Sequence, residues 1–123
     1  MIQQRPDLFE LGESLRERRE VCAVEDRRGF SVRSLAARLG VSATYLSGLE
    51  RGQQRPTEVL LRHLARELAI EPEPLLALAR RVPEDVSSAI AARPALAEAV
   101  RALRDLPDDD LLRAVRRIRD GEW

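Results

Sequence analysis

The stretch from Ser31 to Pro56, SVRSLAARLGVSATYLSGLERGQQRP, constrains the fold more than any other. Val32, Leu35, Ala36 and Leu39 recur at the spacing of one helix face, and Ser31 is placed to cap the start. Gly40 ends that helix, because glycine takes the left-handed conformation at little cost. Val41 fills the corner, and Ser42 caps a second helix. Tyr45, Leu46 and Leu49 form the face that this helix buries, and Gly52 stops it. The pattern predicts two short helices set around a tight glycine turn.

The rest of the chain fits around such a pair. With 123 residues it makes one domain, or a small domain plus an appendage. Only 3% of the residues are aromatic, so Leu, Ala, Val and Ile must build the core. No segment alternates apolar and polar residues for long enough to make a strand, so the fold class is all-α. A single cysteine rules out an intramolecular disulfide. With no signal peptide and no long apolar run, the expected location is cytoplasmic and no membrane is involved.

Charge gives a weaker lead. The net charge is zero, but residues 1–70 carry 12 arginines against 10 acids, and residues 71–123 carry 9 against 11. All 21 basic residues are arginine. Codon usage in a GC-rich genome accounts for that by itself, although the planar guanidinium also suits phosphates and base edges.

Five helices are expected in the first part. Residues 1–6 read as a disordered arm. A first helix runs from Asp7 to Val21, with Leu8, Leu11, Leu15 and Cys22 inward. Residues 22–30 form a polar loop or an extra helical turn. After the central pair, Pro56-Thr57 opens a fourth helix to Ala69, with Val59, Leu60, Leu64, Ala65 and Leu68 as its apolar face. Glu71 to Pro74 is a break, and Leu75 to Val82 a short fifth helix. Composition then shifts, and prolines punctuate three more amphipathic helices: Pro83–Ala92, Pro94–Leu106 and Asp108–Asp120. Asp108, Asp109 and Asp110 suit a helix start, where acids complement the dipole. The expected division is therefore 1–82 and 83–123.

Two helices around such a turn form a helix-turn-helix, whose second helix can enter the DNA major groove. LGESLRERRE, then the central stretch, then LLRHLARELAIEPEPLLALA resemble the XRE family, the lambda-repressor and Cro type of regulator, over Leu11 to Ala79. LAARLGVS, YLSGLERG and RP carry the resemblance, in family order and spacing. It implies a five-helix, lambda-repressor-like DNA-binding domain that works as a homodimer on a palindromic double-stranded operator. It also implies a structural ion pair between Arg19 and Glu50, a pair whose halves stand or fall together because either charge buried alone is costly. Ser42 to Arg51 is then the recognition helix, with Ala43, Thr44, Ser47 and Gly48 facing bases. Ser42, Arg51, Gln53, Gln54 and Arg55 join them in the DNA contact, and Arg33 on the preceding helix is a further candidate.

Two features depart from the family pattern. Glu20 to Arg28 makes a longer stretch than usual before Gly29. It lengthens the first helix, forms a loop that brings Arg27 and Arg28 to the phosphates, or is a solvated surface loop. The reading face is also small. Long side chains make bidentate hydrogen bonds to bases, and Ala, Thr, Ser and Gly cannot. Thymine methyl contacts from Ala43 and Thr44, Gln53, Gln54 and DNA shape are left to supply specificity. The other reading of the same smallness is that DNA binding has been lost.

The stripes after Val82 offer more apolar surface than one small domain needs. Leu103, Leu111, Leu112, Val115 and Ile118 are the dimerisation candidates, the other reading being an intramolecular cap. Tails of this kind resemble those of short XRE regulators paired with a peptidase that cleaves them, so a protein partner or peptidase acting on the C-terminal region is a further expectation.

Little else in the chain carries chemistry. His63 and Cys22 are each the only residue of their kind, too few for a zinc site or a persuasive catalytic triad. No glycine loop of the phosphate-binding kind is present. The expectation is no enzyme, no cofactor and no metal. The function expected is a dimeric, sequence-specific repressor of its own or a neighbouring operon. A second reading, from a different class, is an antitoxin-like or adaptor module that binds protein, with DNA binding secondary or lost.

Overall fold

A computed structural model describes residues 6–122. Eight helices, and no strand, occur among them: α1 (Pro6–Glu25), α2 (Val32–Leu39), α3 (Ala43–Glu50), α4 (Glu58–Leu68), α5 (Pro72–Leu78), α6 (Glu84–Ala92), α7 (Pro94–Leu103) and α8 (Asp108–Arg119). The fold is all-α. The chain divides into two compact units between Pro83 and Glu84. The arm expected over 1–6 lies outside the described residues except for Pro6, which already belongs to α1.

The first unit is built on leucine. Leu8, Leu11 and Leu15 of α1 meet Leu35 and Leu39 of α2, Leu46 and Leu49 of α3, Leu61, Leu64 and Leu68 of α4, and Leu75 and Leu76 of α5. Serine and threonine caps set the helix starts. Ser31, Ser42 and Thr57 accept from the backbone N–H of Ser34, Tyr45 and Leu60 at 3.1, 2.9 and 3.2 Å. Gly40 closes α2 with φ 73°, and the next N–H, of Val41, donates back to Ala36 at 3.0 Å.

The structure corrects the boundaries of five helices and the inward face of one. First, α1 runs past Val21 to Glu25, so of the alternatives for the stretch after Val21 the extra helical turn is the one that forms. Its inner face turns polar after Leu15, and Arg18 donates to the Leu68 carbonyl at 2.8 Å while Cys22 packs against the core. That half-buried polar seam lies along the helix beyond the point where its apolar stripe ends. Second, α5 begins at Pro72, so the expected break is the helix start. The N–H groups of a first helical turn have no intrahelical partner, and prolines cost nothing there. It stops at Leu78, because Arg80 turns left-handed (φ 53°) and the Arg81 N–H closes on Leu76 at 2.8 Å.

Third, α4 starts at Glu58, with Thr57 as cap, and its inward face includes Leu61 while Val59 is 81% exposed. Leu61, Leu64, Ala65 and Leu68 keep the three-four spacing that Val59 does not share. Fourth, in the second unit α6 starts at Glu84 and α7 ends at Leu103, short of Leu106. No side chain of α6, α7 or α8 is buried, in contrast to the first unit.

Candidate nucleic-acid interface

The second helix of the pair, α3, is held at its C-terminal end. Arg19 of α1 reaches Glu50, the last residue of α3, with Nε 2.7 Å from Oε2 and Nη2 2.8 Å from Oε1. Only 13% and 7% of the two side chains are exposed. Arg19 also donates to the Phe30 carbonyl at 3.2 Å, tying in the loop before α2. The Glu50 hydrogen bonds raise the Arg19 pKa above its ordinary value, against the opposing effect of burial.

Two glycines let the same end of α3 lie against the α1 backbone. A methyl group at Gly12 would stand 2.5 Å from the Glu50 carbonyl oxygen and 2.6 Å from that of Leu49. One at Gly52, where φ is 75°, would stand 3.1 Å from the Phe9 Cα. No sequence pattern marks Gly12, because a lone glycine inside a helix reads only as a weak spot.

Beyond this anchor the outward face of α3 is small and polar. Ser42 caps the helix with its hydroxyl, Thr44 is exposed, and Ala43 and Ser47 are half-buried. Gly48, expected to permit close approach without reading a base, is the least open of these positions. It is buried, with Gln53 and Gln54 packed over it, so the surface at that point belongs to the two glutamines. Arg51 lies at the helix end with its Nη2 3.4 Å from Gln53 Oε1, and Gln54 and Arg55 come next, both exposed. A shallow depression joins Arg16 and Arg19 of α1 to Ser47, Glu50 and Arg51. Arg16, absent from the sequence-based candidates, is mostly exposed beside α3 and pairs with Glu20 at 3.1 Å. Its place three residues before Arg19 is the signal that points to it.

The long stretch before Gly29 is ordered by local bonds. Asp26 accepts from the Gly29 N–H at 2.9 Å, and the Phe30 N–H donates to the Asp26 carbonyl at 3.2 Å. Arg38 fastens this turn from α2. It donates to the Gly29 carbonyl at 2.5 Å, pairs with Glu67 at 2.9 Å and lies 5.0 Å from the Phe30 ring centroid. Arg27 and Arg28 are exposed on the turn, and Arg27 lines a depression of its own with Glu20, Ala23 and Val24. Arg33 is exposed on α2.

A family model described as a helix-turn-helix domain matches residues 10–79, more than half of the chain. The chain belongs to the helix-turn-helix domain family. The match begins within α1, ends just past α5, and takes in the anchored α3 and the arginines around it. In the helix-turn-helix, α2 and α3 are the paired helices, and α3 is the one that can lie in the major groove. No curated protein and no solved structure matches the chain. Among the described residues, no helix is long and apolar enough to cross a membrane.

Proposed function

We propose that the chain is a dimeric, sequence-specific DNA-binding repressor of the XRE type, acting on its own or a neighbouring operon. The observation that carries this reading is the construction of α3. Its buried end is fastened to α1, while its outward face, Ser42, Thr44 and Ser47, is flanked by Arg16, Arg51 and Arg55. Arginines beside the reading helix suit phosphates, and the short polar side chains allow the helix backbone to approach base edges. Specificity then leans on thymine methyls, Gln53, Gln54 and groove shape. The second unit sets the spacing of two half-sites on a palindromic operator.

A second reading also has an observation in its favour. The exposed apolar side chains of α6 to α8 suit an antitoxin-like or adaptor module whose tail binds a partner protein or is cut by a peptidase. Binding to the DNA upstream of the gene, measured by fluorescence anisotropy across a salt series against scrambled DNA, separates the two. A preference of about a thousandfold supports the repressor. Equal, weak and steeply salt-dependent binding to both DNAs supports the module.

A further inference from the structure

Among the described residues of the second unit, α8 leaves most of its surface exposed, with only Asp110, Leu111 and Ala114 half-buried, and a helix of 12 residues is marginal in water without further packing. Leu112, Val115 and Ile118 are 56, 52 and 60% exposed along one side of it. The charges on this helix are polarised. Its first turn is Asp108, Asp109 and Asp110, and its last carries Arg116, Arg117 and Arg119.

The helix dipole favours that order of charges but is indifferent to which face they occupy. Here the face is informative. Asp108 stands seven residues before Val115 and Arg119 four after it, so both lie on the apolar side, one at each end. Neither has an ion pair among the described residues, whereas Asp110 has Arg113 at 3.4 Å.

We infer that α8 pairs antiparallel with α8 of a second copy of this chain, an inference that rests on the dimeric reading above. A two-fold axis across the middle of the helix sets Asp108 of each copy beside Arg119 of the other, with Leu112, Val115 and Ile118 between them. The charge pattern selects the occupant. A nucleic acid or an anionic membrane would be repelled by the acidic end, and an acidic protein likewise. A helix with the same two poles, reversed, satisfies both ends at once.

The test uses the full chain, free of DNA, in sedimentation equilibrium. Asp108→Arg alone and Arg119→Asp alone each set like charges together at both ends and should weaken self-association by about tenfold or more. An equimolar mixture of the two variants should restore it, because each supplies what the other lacks. Loss of helix in either variant cannot produce that rescue. Variants that dimerise as the wild type does, or a mixture no stronger than its parts, overturn the pairing. So does a monomeric wild type, including one that binds vesicles of anionic lipid. Operator binding by the wild type is read separately. Rescue without operator binding sinks the repressor and leaves the pairing, and operator binding without rescue does the reverse.

Discussion

Glu50, the last residue of α3, meets Arg19 of α1 edge-on through two hydrogen bonds of 2.7 and 2.8 Å. Glu50→Ala strands a guanidinium that is only 13% exposed and should cost about 3 kcal/mol or more of stability. Urea denaturation of the two proteins measures it, and an unchanged midpoint would show that the pair contributes nothing. The sign of the Arg19 shift fixes the pH dependence. A raised pKa means a contribution present below the ordinary arginine value and lost only as pH climbs past the raised one. The gap between wild type and Glu50→Ala should therefore hold steady from about pH 8 to pH 10.

At Gly12, α1 lies so near the end of α3 that no side chain fits. Gly12→Ala sets a methyl group against two backbone carbonyls, neither of which can swing aside. A loss of about 1–3 kcal/mol is expected, despite the better helix propensity of alanine. Thermal melting checks it. A stabilised variant would mean that the two helices do not approach this closely.

Ala69 caps α4 in the left-handed region at φ 56°, a conformation that costs a residue with a Cβ about 1–2 kcal/mol. Ala69→Gly should stabilise the domain by roughly 0.5–1 kcal/mol, as the strain relieved exceeds the added chain entropy at an exposed cap. A lower melting temperature would contradict the cap geometry.

Arg51→Ala and Arg55→Ala should weaken binding to all DNA sequences alike, each reducing the salt slope by about one. Binding isotherms on operator and scrambled DNA at several salt concentrations measure both quantities. A changed sequence preference, with the slope intact, would make these arginines readers of bases.

Much of this architecture is legible in the chain itself. Ser31, Gly40 and Ser42 are local signals, each sufficient to mark a helix end, and the helices begin and stop at them. Glu50 and Arg19 are legible only through the family resemblance, since their separation along the chain carries no pattern. The features that escape a sequence reading are set by tertiary contact. The sequence leaves the end of α1 open between a loop and an extra helical turn, and the turn that forms lies where Arg18 meets the Leu68 carbonyl and Cys22 packs on the core. The inward turn of Leu61 in place of Val59 depends on where α4 sits over the core. Gly48 has the helical phase of a reading position, yet the two glutamines beyond the helix fold back over it.

The fastening of α3 at one end has a consequence for how this protein can change. Gly12, Gly52 and Glu50 all act on the final turn and the residues just past it, while Thr44 and Ser47 lie ahead of them, outside the leucine core. On the DNA-binding reading proposed above, stability and target choice reside in different residues. New side chains at positions 44 and 47 would then redirect the molecule to another sequence while the anchor at the end of α3 stays untouched.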